Sequence, residues 1–408
     1  MRKVIFLLIF LVAVAGDLLA CTSAVISGQV TKDGRPLLWK NRDTGFPQNS
    51  VASFQGERYN FIGVVNSVAV HPKEIWVGTN EMGFSIMNTQ SYNLEEAVNG
   101  EERGPANGFI MYRALSICKD VADFKQFLDT LARPTGLEAN IGVIDANGAA
   151  MMFEVSNTSY TVYDANNPKD APFGYVARTN FSFSGKVNKG AGYVRYQQEE
   201  KLLQPASAMQ VITPRWIMCN LSRSFANPFL GIDLKKIDWH NTSSTGWFVD
   251  QDFIPRHSTA CSVVIEGVKK GEPAVLTTMW TALGYVPTSV MVPVWVKYAE
   301  EMPALLVKNK QTKVAPLCNQ SLKLRDLVFS YQQGMGTNRY FHWSLLFNAS
   351  KTGYIQLLDP VEEEVTDWGN KQLALWREKG TIERSELKHL YQQINSYVTA
   401  KYDTIVTP

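Results

Sequence analysis

A cysteine stands at the point where the leader of this chain would be removed. The stretch GDLLACTSAVISG, residues 16–28, places Cys21 directly after the small residue Ala20. Removal of residues 1–20 would leave Cys21 with both a thiol and a free α-amine. Such an amine has an ordinary pKa of about 7.7–8.0, so it can take a proton from its own thiol near neutral pH. The position therefore predicts one residue that is both nucleophile and general base.

The first 20 residues have the layout of a secretory signal. Arg2 and Lys3 precede an apolar run from residue 4 to residue 15, and Ala20 ends the segment. This run is shorter than the roughly 20 apolar residues that a membrane-spanning helix needs, and no later stretch is long and apolar enough. We therefore expect an exported protein, periplasmic or extracellular, with no integral membrane span.

Two other interpretations of Cys21 remain open. The letters LLAC loosely resemble the signal that places a lipid on a cysteine thiol, which would make the chain a lipid-anchored binding lipoprotein without chemistry. Asp17 and the bulky Leu19 are unusual in such a signal. Alternatively, the leader is cut elsewhere and Cys21 is an ordinary strand residue. A different thiol would then need a histidine as base, for example His257 near Cys261.

The composition is that of a globular protein and excludes several classes of partner. The 408 residues are 45% hydrophobic and 19% charged, with a net charge of +2. This balance gives no reason to expect a nucleic acid or an anionic membrane as partner. The five cysteines show no CxxC pair and are sparse for so long a chain, so neither a zinc site nor a disulfide framework is indicated. At least one thiol is left free, and Cys21 is the candidate.

The elements that must position Cys21 follow an order of strands, helices, strands and helices. Short β-prone runs between Gly, Asp, Asn and Pro turns predict strands from Cys21 to about residue 90 and again from residue 139. A helix is predicted over residues 120–134, with Asp120 as its cap, and another over residues 381–398. The helical face before the first of them makes Cys118 a core residue. This order predicts an α+β layered fold.

Four short segments resemble the N-terminal-nucleophile amidohydrolases when taken in order. Within that class they are similar to the choloylglycine hydrolase and penicillin V acylase group and to the neighbouring isopenicillin-N acyltransferase-like group. The segments are CTS at residues 21–23, NRD at 41–43, GTNEMGFSIMN at 78–88 and VARTNFS at 176–182. The resemblance covers residues 21 to about 295.

The resemblance implies a role for each matched residue. Cys21 is the nucleophile, and Asp43 orients its amine or thiol. Asn80 and Asn180 direct amide N–H groups at the oxyanion that forms when the thiolate attacks. The substrate-binding candidates are Lys40, which stands where the bile-salt and penicillin V enzymes usually carry Arg, then Asn41 and Arg256. Arg256 is the nearest match to a late arginine of the family, although it falls a few residues early.

The resemblance also implies a fold and an activity. The fold is a four-layer αββα sandwich over residues 21–300, followed by a mainly helical extension over 301–408 that packs on the core. The activity is cleavage of a linear amide in a small N-acyl substrate, without a metal or other cofactor. Acyl transfer to an amine instead of water stays open as an alternative, and so does assembly into a homo-oligomer.

The identity of the mature N-terminus is a first testable prediction. We expect cleavage between Ala20 and Cys21, so that the mass of the N-terminal peptide of the exported protein corresponds to an unmodified Cys21. A diacylglyceryl adduct on that peptide would support the lipoprotein, because lipidation consumes the thiol. A mature chain that begins at Thr22 or later would contradict the proposed chemistry altogether.

Overall fold

The structure, a computed structural model, describes most of the chain. It covers residues 20–68, 71–94, 107–237, 246–250, 252–330 and 339–406. The predicted signal peptide therefore lies outside the described residues, apart from Ala20. Within these ranges no helix is long and apolar enough to cross a membrane.

Cys21 immediately precedes a strand in the interior of a six-stranded antiparallel sheet. Its six strands, in spatial order, are β10 (Tyr175–Arg178), β1 (Thr22–Ile26), β2 (Leu37–Asp43), β14 (Thr259–Glu266), β15 (Thr278–Leu283) and β16 (Val292–Val294). The whole of β1 and β2 is buried. Residues 24–26 and 37–39 are apolar on both faces of their strands, which fits a sheet that is covered on both sides, while the second half of β2 is polar and buried.

A second antiparallel sheet has seven strands in simple chain order. They are β3 (Asn49–Phe54), β4 (Phe61–Asn66), β5 (Val77–Asn80), β6 (Ser85–Gln90), β7 (Ala139–Ile144), β8 (Ala150–Val155) and β9 (Tyr160–Asp164). The two sheets pack face to face through β1 and β2 on one side and β6 and β7 on the other. Val25 of the first sheet and Val77 and Met87 of the second belong to one fully buried cluster between them.

Helices cover both outer faces of this pair of sheets. The helices α1 (Asn107–Ile117) and α2 (Val121–Thr130) pack on the seven-stranded sheet. The six-stranded sheet is covered by α3 (Tyr193–Ala208), α4 (Pro214–Ile217), α5 (Pro316–Val328) and α7 (Tyr354–Lys379). The predicted four-layer αββα sandwich is therefore confirmed by the layers themselves.

The chain beyond residue 300 is mainly helical and shares the core of the sandwich. Besides α5 and α7 it contains α6 (Trp343–Leu346) and α8 (Arg384–Val406). Trp376 and Ile394 belong to the same hydrophobic cluster as the six-stranded sheet. The buried ion pair between Arg223 and Glu362, at 2.5 Å, also joins α7 to the body of the protein. The domain boundary at residue 300 stays a prediction.

Two small ribbons complete the structure. The strands β11 (Ala226–Asn227) and β12 (Ile232–Asp233) form one of them. The other pairs β13 (Trp247–Val249) with β17 (Tyr340–His342), which belongs to the C-terminal part of the chain. An aromatic cluster that includes Phe253, Phe329 and Phe341 lies beside this second ribbon.

The local predictions from sequence agree with these elements where the pattern was strong. The helix with Asp120 as its cap is α2, and Asp120 accepts a hydrogen bond from the backbone of Asp123 at 2.9 Å. The helix over residues 381–398 corresponds to α8. Cys118 is 1% exposed, as expected for a core residue. Two elements, β3 and the 26-residue helix α7, were not predicted from the residue pattern.

Candidate active site

The candidate nucleophile is held by backbone pairing on both sides of the residues that follow it. From Thr22 to Ile26 the chain pairs with β2, and from Ser23 to Ile26 it pairs with β10. The first residues of a chain usually fray unless they are tied into a sheet. Cys21 is 8% exposed and Ala20 is 3% exposed, so the bond between them is buried in the full-length chain.

Asp43 lies beside the thiol and is itself tightly bound. The Sγ atom of Cys21 is 3.9 Å from the backbone oxygen of Asp43. Arg256 donates to the Asp43 carboxylate through Nε at 3.2 Å and Nη2 at 2.7 Å. The hydroxyl of Thr259 donates to the other carboxylate oxygen at 2.6 Å. The side chain of Asp43 is 1% exposed, so this charge is compensated almost entirely by protein groups.

Asn180 contacts the backbone nitrogen of Cys21. Its Oδ1 atom accepts from Cys21 N at 3.1 Å and from Arg195 Nη2 at 2.9 Å, while its Nδ2 atom donates to the backbone of Gln90 at 2.8 Å. The predicted role of Asn180 was to donate an amide N–H to an oxyanion. The geometry instead directs its amide oxygen at the nitrogen that becomes the free amine after cleavage.

Arg195 on α3 is a site residue that the sequence analysis missed. Its Nη1 atom donates to Cys21 O and to Thr22 Oγ1, both at 2.7 Å. Its pKa is lowered to about 10, first by burial and then by the charge of Arg256, while Asp43 and Cys21 oppose this shift. Nothing in the letters around residue 195 resembles a motif. The helix α3 is largely polar, so its buried arginine is recognisable only once the helix is placed against β10.

Tyr92 is a second residue near the thiol that sequence reasoning did not single out. Its pKa is raised to about 12, mainly by burial and then by the negative charge of Cys21, while Arg195 and Arg256 lower it. The phenol is therefore protonated at neutral pH and can donate a hydrogen bond. Tyr92 N also donates to the backbone oxygen of Asn180 at 3.2 Å, which ties this segment to the site.

Lys40 lies between the two sheets without access to solvent, and its charge interacts with that of Cys21. It is 1% exposed, and its Nζ atom donates to Asn88 Oδ1 at 2.8 Å and to Trp76 O at 2.9 Å. Burial lowers its pKa to about 8, and the negative charge of Cys21 opposes this shift. Its role in substrate binding stays a prediction, and in the structure its amine is held between the sheets by Asn88 and Trp76.

Asn41 and Asn80 are placed away from the thiol, which corrects two further predictions. The Nδ2 atom of Asn41 donates to Ile254 O at 3.2 Å on the face of β2 opposite to Lys40. Both amide hydrogens of Asn80 go to backbone oxygens at the end of α1, Leu115 at 3.0 Å and Cys118 at 2.7 Å. Successive strand residues point to opposite faces, and Asn80 falls on the helix side of its sheet. The structure therefore gives Asn80 a structural role in place of an oxyanion contact.

The competing pair of His257 and Cys261 does not form a catalytic unit. Burial raises the pKa of the Cys261 thiol to about 12. The His257 ring lies 2.6 Å from Arg339 Nη1, and its pKa is lowered to about 3 by burial and by the charges of Arg325 and Arg339. Both shifts disfavour proton exchange near neutral pH, and the His257 ring contacts Arg339 and Phe329, so Cys21 remains the better candidate.

Comparisons with known proteins add structural likeness but no match in sequence. No protein-family model and no curated protein matches the chain. A conjugated bile acid hydrolase mutant from Clostridium perfringens has 12% identity and a TM-score of 0.40, over 68% of this chain and 92% of that one. An N-acylethanolamine-hydrolyzing acid amidase ortholog from Caenorhabditis elegans has 13% identity and a TM-score of 0.36, over 60% and 92%. Penicillin V acylase from Agrobacterium tumefaciens has 10% identity and a TM-score of 0.37, over 68% and 86%.

The fold assignment itself rests on the observed layers and strand order. The candidate site rests on the contacts of Cys21, Asp43, Asn180, Arg195 and Arg256.

The lowered pKa of Lys40 predicts a specific pH dependence of stability. The folded protein releases this proton at about pH 8, whereas the unfolded chain releases it near 10.5. The free energy of unfolding should therefore rise with pH across this window, by roughly 3 kcal/mol more in the wild type than in Lys40→Met. Urea unfolding at several pH values measures this difference, with the exposed Lys201→Met as control. Parallel curves for wild type and Lys40→Met would contradict the prediction.

Proposed function

We propose that this chain is an exported cysteine hydrolase of the N-terminal-nucleophile class that cleaves a linear, non-peptide amide bond. The observation that carries the proposal is the environment of Cys21. Its backbone nitrogen contacts Asn180 Oδ1, its thiol contacts the Asp43 backbone, and its own oxygen accepts from Arg195. Removal of residues 1–20 would create the amine at the place where these groups already converge.

The proposed reaction begins with proton transfer within Cys21. The α-amine takes the thiol proton, and the resulting thiolate attacks the carbonyl carbon of the substrate amide. The tetrahedral intermediate then breaks its C–N bond, and the ammonium returns the proton to the departing amine. This leaves an acyl-thioester on Cys21. Water, activated by the same amine, releases the acid and regenerates the thiol.

The groups around Cys21 hold its amine and thiol in place and supply a hydrogen-bond donor for the oxyanion. Asn180 and Arg195 fix the amine end of Cys21, and Asp43 fixes its thiol end. Arg256 Nη2 lies 3.5 Å from the oxygen of Ala20, which is bonded to Cys21 through its peptide group. That oxygen marks where a carbonyl can lie next to Cys21. Arg256 is therefore the donor that we expect to face an oxyanion, and loss of one such donor typically costs about 10²–10³ in rate.

The lipoprotein alternative is less well supported. A lipid chain attached to Sγ would have to leave a site in which Cys21 is 8% exposed and surrounded by Asp43, Arg195 and Arg256. Buried charged groups are a poor environment for an acyl chain. The acyltransferase alternative uses the same thioester and differs only in the acceptor. Incubating the acylated enzyme with amines, and analysing for new amide against free acid, distinguishes it from hydrolysis.

The nucleophile itself is tested by substitution of two cysteines. Mature wild type, Cys21→Ala and Cys118→Ala are assayed on a panel of N-acyl amides that vary in acyl and amine parts. We expect Cys21→Ala to lose all hydrolysis, and Cys21→Ser to lose most of it while remaining folded, because a hydroxyl is a much weaker nucleophile at neutral pH. Cys118→Ala is the matched control, because that thiol is buried with a pKa raised to about 12. Full activity in Cys21→Ala would refute the proposal.

The role of the α-amine is tested by blocking it. A mature chain that keeps one additional residue before Cys21 has an amide nitrogen there, which cannot accept a proton near pH 7. We expect this form to fold with the same thermal stability and to be nearly inactive. Its turnover is compared with that of the processed protein on the same substrate. Equal turnover would mean that another group acts as the base.

A further inference from the structure

The segment that carries Arg256 is held by the C-terminal part of the chain. Arg256 lies just before β14, and its guanidinium donates twice to the Asp43 carboxylate. The adjacent residue His257 contacts two arginines that come from beyond residue 300. Its Nε2 atom lies 2.6 Å from Arg339 Nη1, and its backbone oxygen accepts from Arg325 Nη1 at 3.4 Å.

The same segment is fixed a second time through Asp250. The backbone nitrogen of Asp250 donates to Arg339 O at 2.7 Å, and its carboxylate accepts from the backbone nitrogen of His257 at 2.8 Å. Arg339 therefore contacts this segment through its main chain and through its side chain. The backbone of His257, one residue from Arg256, is held at both its nitrogen and its oxygen.

The ring of His257 is suited to accept a hydrogen bond and unsuited to proton transfer. It packs edge-on against Phe329, with ring centroids 4.9 Å apart. A neutral imidazole has one nitrogen that accepts, and an arginine only donates. Arg339 Nη1 lies within 2.6 Å of both ring nitrogens of His257, so the contact joins the cation of Arg339 to a neutral ring that can accept from it through one nitrogen.

We propose that His257 and Arg339 are positioning residues for the reaction at Cys21. Together they hold the backbone next to Arg256, so that its guanidinium stays in a two-point contact with Asp43 beside the thiol. This inference rests on the proposed function for its kinetic consequences. It makes the C-terminal part of the chain a component of the catalytic unit, although that part supplies none of the groups that touch Cys21 among the described contacts.

A positioning role of His257 can be tested separately from its packing, because an aromatic cluster holds the same region without the contact to Arg339. Phe253, Phe329 and Phe341 are at most 3% exposed and pack against one another. The substitution His257→Phe keeps an aromatic ring on Phe329 and removes only the acceptor for Arg339. The expected loss is therefore in catalytic geometry and not in the free energy of unfolding.

The test begins with three variants of the mature protein. His257→Phe and Arg339→Met should each lower kcat by about 10- to 100-fold with little change in KM, because a displacement of roughly 1 Å in a reacting site costs about that much. Arg339→Lys retains a donor and should recover most of the rate. The control is His342→Phe, the same substitution in the nearby ribbon, where the ring packs at a tilt against Trp247 with centroids 4.6 Å apart. His342→Phe should keep the wild-type kcat.

A double-mutant cycle shows whether the effect passes through Arg256. Arg256→Met should itself lower kcat strongly. Adding His257→Phe to Arg256→Met should then cause no further loss, because the group to be positioned is already gone. Additive losses would overturn the proposal, and so would a wild-type kcat in His257→Phe. If His257→Phe does not fold, Arg339→Met is carried through the same cycle.

The alkylation rate of Cys21 gives a readout that needs no substrate. Iodoacetamide labelling of Cys21 is followed by the mass of the N-terminal peptide at pH 7. Labelling should be several-fold slower in Arg256→Met, in His257→Phe and in Arg339→Met alike, because a nearby arginine charge favours a reactive thiol. Slower labelling in all three variants supports the positioning role even if the wild type cleaves no amide of the panel. A wild type that cleaves no amide would refute only the proposed function. Unchanged labelling in His257→Phe and Arg339→Met, with slower labelling in Arg256→Met, would overturn the positioning role.

Discussion

The strand pairing of the residues after Cys21 is the constraint on which the site depends. A nucleophile at the start of a chain would ordinarily be the most mobile residue of the protein. Here β1 lies between β10 and β2, and its residues are paired on both edges. The ladders fix the direction in which Cys21 points. Asp43 at the end of β2 and Asn180 just after β10 then arrive on either side of it without any further adjustment.

Four cations lie around this point, and the carboxylates of Asp43, Asp250 and Asp252 offset part of their charge. Lys40 and Arg42 lie in β2, Arg195 lies in α3, and Arg256 comes from the segment before β14. Asp43 is the carboxylate that Arg256 binds. Buried cations are costly unless a negative charge is present. A thiolate formed at Cys21 during the proposed reaction would add a negative charge beside Lys40 and Arg195, whose pKa values are lowered mainly by burial.

The part of the chain beyond residue 300 is integrated with the sandwich in two ways. The helices α7 and α8 extend the hydrophobic cluster on the outer face of the six-stranded sheet. The strand β17 and the arginines near it reach the segment that carries Arg256. Truncating this part would therefore affect both the core and the site. The proposed positioning of Arg256 by the C-terminal part is possible because Arg256 lies only three residues before the start of β14.

The local features of the chain could be predicted from the sequence. Cys21 after Ala20, the order of the four segments, the strand runs and the capped helix α2 all follow from residue types and their spacing over a few positions. Such features depend on neighbours in the chain, so periodicity and turn residues are enough to predict them.

The polar side chains that meet Cys21 are set by the order of the strands and helices in space. The order β10-β1-β2-β14 brings Asn180 to the nitrogen of Cys21 and Arg256 to the oxygen of Ala20, although each is more than 150 residues away in the sequence. The alternation of side chains along β5 turned Asn80 toward α1. Arg195 entered the site because α3 packs on β10 and the guanidinium reaches Cys21 O, and no local pattern marks it. Contacts of this kind depend on sheet order and face, which residue types over a short window do not specify.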